Sequence, residues 1–297
     1  MQALLIINPC SGKLKIQPHL LNVISTLNSA GFQTRVEVTQ YHNHAMEIAA
    51  NCKEDLIICS GGDGTLNQVI SGIIKANKDI PIGYIPAGST NDFANTLGIS
   101  LDILTATKNI TKRNVFPVDI GLLRDNNATL EKNNYFTYIA SFGLFTSVSY
   151  NTPQQVKNTF GHLAYVFEGM KDLRNIKTYN VSVKTDDKEF SGEYIFGAIL
   201  NTTSIGGVVQ IDNIVDMSDG IFELVLVKEP KNITDLGEIY DGIANSNFTG
   251  NMFDFIKTTK LSLKFEEYIT WSLDGERKDT SNSVYIENLN RRINIYK

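Results

Sequence analysis

"SGGDGTLNQVI", residues 60–70, sets three glycines and one carboxylate at the head of an apolar-striped segment. Upstream, Leu56, Ile57, Ile58 and Cys59 form a short continuous apolar run, the pattern of a strand buried on both faces. Downstream, Leu66, Val69, Ile70, Ile73 and Ile74 recur at offsets of three, four, seven and eight, the spacing of one helix face. The stretch reads as strand, glycine turn, helix. Thr65 is the expected cap, its hydroxyl accepting an orphan amide of the first turn. A helix start presents free N–H groups and a partial positive charge, so it attracts phosphate. A tight turn without a ligand needs one glycine; three suit a loop that lets phosphates touch the main chain.

Two familiar phosphate loops do not fit. Counted from Gly62, a dinucleotide fingerprint finds Gly64 in place but Asn67 where its third glycine belongs. Gly12-Lys13 has Ile7 in place of the leading glycine of a Walker loop, and Leu14 follows the lysine.

The whole chain sets the bounds. Its 297 residues suggest roughly two domains, and 42% hydrophobic with 20% charged residues is ordinary for a globular protein. A net charge of −5 argues against a nucleic-acid binder, and Lys112-Arg113 and Arg291-Arg292 read as solvated surface. Cys10, Cys52 and Cys59 have neither metal spacing nor disulfide density, which points to a reducing cytoplasm. "ALLII" after Met1-Gln2 reads as a first strand rather than a signal peptide, and no apolar run reaches membrane-span length.

Strand and helix patterns alternate over the first part: "ALLII", a helix through Leu20, Val23, Ile24 and Leu27 that stops at Gly31, "FQTRVEVT", a helix at Ala45–Ala49, the glycine-loop pair, "IPIGYIP", a short helix at Asn91–Leu97, and a strand at Val118 and Ile120. This predicts an α/β N-terminal domain, a mostly parallel sheet with helices on both faces. "LRDNNATLEKNN" (123–134) is a polar connector suited to a boundary. Beyond it, "YFTYIA", "YNVSVK", "EFSGEYIFGAIL", "IFELVLV", "KLSLKF", "YITWSL", "SVYIEN" and "INIY" predict a mainly antiparallel β-sandwich C-terminal domain, with helical patches near 160–173 and 233–244. The expected division is 1–124, an α/β domain; 125–290, a β-rich domain; and a C-terminal strand at 291–297 that can return to the first domain.

Two further loops join the glycine loop. "NPCSGK" (8–13) ends the first strand and "PAGSTNDFA" (86–94) ends the fourth. Each alone reads equally as a bland turn or helix cap. In a parallel sheet all three lie at the carboxyl ends of strands, where open α/β folds dock their ligands, and together they point to a nucleotide phosphate site.

"NPCSGK", "SGGDGTLNQV", "GSTNDFA" and "VDIG" in this order resemble the diacylglycerol kinase catalytic-domain family, which includes bacterial soluble lipid kinases and sphingosine and ceramide kinases. The likeness continues through "DMSDGIFEL" (216–224) and "SLDGE" (272–276). It implies a kinase that moves the γ-phosphoryl group of ATP to a lipid hydroxyl, most simply that of diacylglycerol, with Mg²⁺. By motif, Asn8, Ser11, Gly12 and Lys13 border the nucleotide. Ser60, Gly61, Gly62, Asp63, Gly64, Thr65 and Leu66 wrap its phosphates, beside Gly88. Thr39 and Ser89 contribute hydroxyls, Ser89 standing where the family usually has threonine, and Asn91 and Asp92 brace the loops. The family also implies that Asp274 is the general base and Glu276 its polarising neighbour. The proline that often follows this motif is absent here, where "RKDTS" stands.

Read from the residues alone, Asp274-Gly275 is an ordinary hairpin turn, which is what this dipeptide most often means, and the resemblance reverses that reading. Asp63 suits a Mg²⁺ held through water, with helix capping as its plain alternative, and Asp119 is the candidate to share that hydrated metal. Asp216 and Asp219, with the carbonyl of Ile221, can offer oxygens to a hard structural cation, or form a polar turn. His42 and His44 lack a third ligand, and His44 fits the loop after Thr39. "FGHLAYVFEGM" (160–170) has helical spacing and reads as core or as the lining of an acyl entrance. The expected partner is a lipid at a membrane surface, visited transiently by a cytoplasmic enzyme, with no nucleic acid and no transmembrane segment; family relatives include homodimers. An NAD kinase-like phosphotransferase and a non-catalytic nucleotide-binding regulator are the alternatives, and the "DGE" segment favours lipid.

Overall fold

The computed structural model describes residues 1–13, 15–127, 133–144, 176–202, 204–205, 209–210 and 215–297. The chain forms two compact units, Met1–Val118 with Arg291–Lys297, and Asp119–Asn290. The predicted helical patch near 160–173, with His162, lies outside the described residues.

In the first unit β1 (Gln2–Ile7), α1 (Leu20–Ser29), β2 (Gln33–Val38), α2 (His44–Asn51), β3 (Leu56–Gly61), α3 (Asp63–Lys75) and β4 (Ile82–Pro86) alternate, followed by α4 (Asp92–Leu97) and α5 (Ile103–Thr111). β1 lies between β2 and β3, and β4 beyond β3, all parallel. The apolar runs that the sequence offers here are buried on both faces. Ala3, Leu5 and Ile7 of β1 pack with Val23 and Leu27 of α1 and Ile103 and Ile110 of α5. Strand alternation turns Leu4 and Ile6 the other way, and α2 packs on α3, which packs on β3. Parallel order puts every strand's carboxyl end, and so every candidate loop, on one edge.

The units divide at Val118–Asp119, within β5 (Val115–Asp125), and β5 ends inside the polar run 123–134. In the second unit β6 (Asn133–Phe136), β7 (Ile139–Gly143), β8 (Tyr179–Thr185) and β9 (Glu189–Leu200) precede a two-residue pair, β10 (Ser204–Ile205) and β11 (Val209–Gln210). Then come β12 (Phe222–Lys228), α6 (Ile233–Ala244), β13 (Phe253–Thr258), β14 (Lys260–Phe265), β15 (Ile269–Leu273), β16 (Glu276–Thr280) and β17 (Ser283–Tyr296). Long β9 pairs antiparallel with β8 in its first half and with β7 and β12 in its second. β14 lies between β8 and β17, and β15 between β7 and β16, all antiparallel. The C-terminal end of β17 belongs to the first unit, where Ile295 and Tyr296 pair parallel with Ile82 and Gly83 of β4.

Two local expectations are corrected. "YFTYIA" is not one strand: β6 stops at Phe136 and β7 starts at Ile139, because the amides between them bond a side chain rather than a ladder. "SVYIEN" and "INIY" are not separate; β17 runs through exposed Arg291 and half-buried Arg292 as one strand of 14 residues.

The second unit's core centres on Phe142, whose ring lies edge-on to Tyr179, Phe265 and Trp271 at centroid distances of 5.9, 4.9 and 5.2 Å. Trp271 is fully buried, and its indole N–H donates to Thr280 Oγ1 at 3.1 Å. Replacing Phe142 by alanine removes the hub of this cluster and is expected to cost about 3–5 kcal/mol, read as a lower urea midpoint for the second unit. An unchanged midpoint would mean that the aromatic contacts do not carry this core.

Candidate active site

The loops at the carboxyl edge of the first unit are tied to one another by main chain. The Asn8 amide donates to Ser60 O at 3.0 Å, its side-chain Nδ2 to Thr65 Oγ1 at 2.8 Å, and its Oδ1 accepts the Cys10 amide at 2.9 Å. Ser11 Oγ accepts the Gly62 N–H at 3.3 Å. Gly61 O accepts the Ala87 amide at 2.7 Å and the Tyr84 hydroxyl at 3.2 Å. Asn91, in the left-handed region at φ 54° and ψ 46°, closes on Gly88 twice: its Oδ1 accepts the Gly88 N–H at 2.9 Å and its Nδ2 donates to Gly88 O at 3.2 Å. Lys15 Nζ donates to the same carbonyl at 3.3 Å.

This closeness is what the glycines permit. A Cβ on Gly88 would stand 2.6 Å from Gly62 Cα, and one on Gly12, which has φ +54°, would stand 1.9 Å from Ala87 O. The three loops meet as bare backbone, so part of the glycine requirement comes from the loops themselves rather than from a ligand.

Thr65 is not the cap of α3. The helix begins at Asp63 with Gly62 as cap residue and no side chain capping its first turn. Thr65 stands two residues inside, its hydroxyl taken by Asn8, because the chain enters the helix as soon as the glycine pair ends. The first turn thus presents main chain at the loop edge, with Gly64 half-buried and Leu66 in the core. Thr39 continues the ladder, its amide donating to Ile7 O at 2.9 Å, and Ser89 is exposed. Lys13 ends a 3₁₀ turn, Ser11–Lys13. His44 Nδ1 accepts the Gln40 amide at 3.1 Å and its ring stacks on Tyr41, so this histidine shapes the loop after β2.

Asp63 is 7% exposed and reaches another element. Its carboxylate accepts the Thr90 hydroxyl and the Asp92 amide, each at 3.3 Å, and the Phe93 amide at 3.4 Å. It holds the start of α4, and with it the "GSTND" loop.

In the second unit, Asp274 and Gly275 form a two-residue hairpin between Leu273 and Glu276, with φ of +49° and +82°. The Asp274 side chain is buried, and Oδ2 accepts the Thr137 amide at 2.6 Å and the Thr137 hydroxyl at 2.8 Å. Oδ1 accepts the amides of Tyr138 at 3.0 Å and Ile139 at 3.1 Å. Burial raises its proton affinity above the usual aspartate value, against the lowering pull of these donors. Glu276 is half-buried at the head of β16.

Asp119 is fully buried; its Oδ2 accepts the Gly220 amide at 2.6 Å and Asn288 Nδ2 at 3.4 Å, and its amide donates to Met217 O at 2.7 Å. It anchors the 216–221 turn. In that turn Asp216 Oδ1 accepts the amide and hydroxyl of Ser218, and Asp219 Oδ1 accepts the Ile221 amide. Both acids are exposed, and Asp216, Asp219 and Ile221 offer hard oxygen donors on one tight turn, the chemistry of a cation that keeps part of its water. Among the described residues no group of three or more histidine, cysteine or acidic side chains forms a protein-only metal cage.

Sequence reading missed Thr137, Tyr138, Ile139 and Asn201. The one available signal was Thr137, a polar residue at an inward position of an aromatic strand pattern.

Residues 2–123 match the profile of the diacylglycerol kinase catalytic domain. Over 298 residues the chain is 30% identical to the diacylglycerol kinase of Bacillus subtilis (strain 168), covering 99% of this chain and 95% of that protein. Over 279 residues it is 32% identical to the diacylglycerol kinase of Staphylococcus saprophyticus, covering 93% and 88%. The chain belongs to the diacylglycerol kinase catalytic-domain family. It is a kinase. The family profile takes in Asp63 and Asp119, whereas Asp274 falls in the part matched only by the longer relatives. Among solved structures, a diacylglycerol kinase from Bacillus anthracis str. Sterne superposes with a TM-score of 0.76 at 24% identity over 99% of this chain and 96% of that one. Yeast NADH kinase complexed with NADH gives 0.54 at 13% identity, covering 100% and 82%. At these identities both speak to the fold.

Truncating Asp63 to alanine leaves the first amides of α4 without their acceptor and is expected to cost about 1–2 kcal/mol, as loss of a helix cap does. Thermal unfolding measures it without any ligand. A variant as stable as the parent would show that the carboxylate is not held for α4.

Proposed function

We propose that this chain transfers the γ-phosphoryl group of ATP to a lipid hydroxyl, diacylglycerol being the acceptor and phosphatidic acid the product. What carries the reading is the likeness over nearly the whole chain to proteins named diacylglycerol kinase. The site chemistry agrees with it.

In the first unit, the amides of residues 60–66 take the nucleotide's phosphates at the start of α3, where main-chain dipoles favour anions. Asn8, Ser11, Gly12 and Lys13 border the nucleotide, Thr39 and Ser89 supply hydroxyls, and Asn91 and Asp92 keep the Gly88 loop closed. When bound, Mg²⁺ neutralises charge on the phosphates; the donors suit a metal held mainly by phosphate and water, with Asp63 and Asp119 assigned to its water shell. The 216–221 turn, with Asp216, Asp219 and Ile221, is assigned to a second, structural cation.

In the second unit, Asp274 takes the proton of the acceptor hydroxyl and Glu276 polarises its surroundings. The four donors on Asp274 fill the usual lone-pair directions of a carboxylate. Three are main-chain amides fixed by the fold. The fourth, the Thr137 hydroxyl, rotates, so it is the bond that yields when Asp274 accepts a proton. The lipid is met at a membrane surface; no helix among the described residues is long and apolar enough to cross one.

Radiolabelled ATP offered with mixed-micelle diacylglycerol, phosphatidylglycerol, sphingosine, undecaprenol or NAD tests the acceptor. Label in phosphatidic acid supports the reading, and label in the NAD product alone overturns it. Replacing Asp274 by asparagine is expected to lower kcat by about 10²–10⁴-fold, the usual contribution of a general base. Because burial raises the proton affinity of Asp274, the acid limb of kcat should fall above the ordinary aspartate value of 3.8. A parent profile flat down to that pH would remove Asp274 as the base.

A further inference from the structure

Asn201 follows β9 directly and is fully buried. Its main-chain N–H donates to Tyr138 O at 2.9 Å. Its side-chain Nδ2 donates to Asp119 O at 2.9 Å and to Thr137 O at 3.0 Å. Both side-chain partners are carbonyl oxygens, so the orientation of the amide is fixed: only its nitrogen can face them.

These bonds complete a pattern in the 137–139 turn. The peptide joining Thr137 to Tyr138 gives its oxygen to Asn201 Nδ2 and its N–H to Asp274 Oδ1. The next peptide, joining Tyr138 to Ile139, gives its oxygen to the Asn201 N–H and its N–H to the same Asp274 oxygen. Two consecutive peptide planes are therefore clamped at both ends, by Asn201 on the carbonyl side and by Asp274 on the amide side. A peptide cannot turn its N–H away from Asp274 without pulling its oxygen off Asn201. A donor on each carbonyl also polarises the N–H at the far end of the same peptide and strengthens its bond to the carboxylate. The second Nδ2 bond, to Asp119 O, ties the clamp to β5.

We propose that Asn201 is a positioning residue for phosphoryl transfer: it fixes the two peptides that orient the Asp274 carboxylate. The inference rests on the reading of Asp274 as the base. Asn201 does not touch the acceptor; it acts through the turn.

The test is a double-mutant cycle on the full chain, with ATP and mixed-micelle diacylglycerol as substrates. Asn201→Ala is expected to lower kcat by roughly 10–100-fold, in line with the cost of a small misplacement of a catalytic group. KM for ATP should stay as in the parent. In the Asp274→Asn background, or Asp274→Glu where the asparagine variant yields no countable product, Asn201→Ala should cost nothing further, because the group it positions is gone or displaced. Asn201→Ser, which keeps a short donor, should recover part of kcat, and it replaces the alanine variant in the cycle if that variant does not fold. An equal loss in both backgrounds, or a KM for ATP that rises in step with the fall in kcat, overturns the role of Asn201. If Asp274→Asn turns over like the parent, the reading of Asp274 as the base fails first, and the cycle shows this separately.

Discussion

Asp63, Asp119 and Asp274 are buried, and each is met by main-chain N–H groups. A buried carboxylate without donors is costly enough to give up its charge instead. Amides act against this cost by bonding the charged form directly, without a neutralising cation. They also come from far along the chain. Asp63 reaches amides 29 and 30 residues away, Asp119 one 101 away, and Asp274 amides 135–137 away. The bonds made to these acids are thus the bonds that set the "GSTND" loop, the 216–221 turn and the 137–139 turn.

Glu223 shows the other solution. It is fully buried on β12, opposite Lys257 of β13 in register, with the ammonium nitrogen 3.0 Å from Oε1 but outside hydrogen-bonding geometry. Burial pushes its proton affinity up to about 7, against the lowering pull of Lys257. Burial pushes both Glu223 and Asp274 up, against the lowering pull of their partners. What differs is the source of those partners: Asp274 sits against a turn, where consecutive amides point the same way, and Glu223 along a ladder, beside Lys257.

Periodicity made the first unit legible almost element by element, because strands buried on both faces and helices with one apolar stripe leave unmistakable spacing. Most of the second unit's strands were readable in the same way, but β13 and β16, and α5 in the first unit, were not. What failed were places where a local signal gave way to a distant partner. Thr65 looked like a cap because only its own helix was in view; Asn8, 57 residues earlier, claims its hydroxyl. "YFTYIA" looked like one strand because nothing nearby announces that the amides of residues 137–139 serve a side chain more than a hundred residues later. Asp63 was weighed between a metal and its own helix, and its amide partners lie on α4. Asn201 carries no motif: its importance lies in which carbonyls the sheet topology brings to it.

The Asp274-Gly275 dipeptide is a hairpin turn, and the role proposed for Asp274 does not compete with that. A two-residue hairpin with positive φ at both positions favours Asp-Gly, because aspartate tolerates the left-handed region and glycine is at home there. That conformation places the aspartate at the tip of the β15–β16 hairpin. There its side chain turns inward onto the 137–139 turn while its own amide bonds Ile139 O at 2.9 Å. The geometry that makes the dipeptide a good turn also delivers a carboxylate to a ready set of donors. Burial then decides its chemistry. Amides alone would hold the group as a weak base; removal from water works against them and prevails, leaving a carboxyl group that is well oriented and takes a proton more readily than an ordinary aspartate.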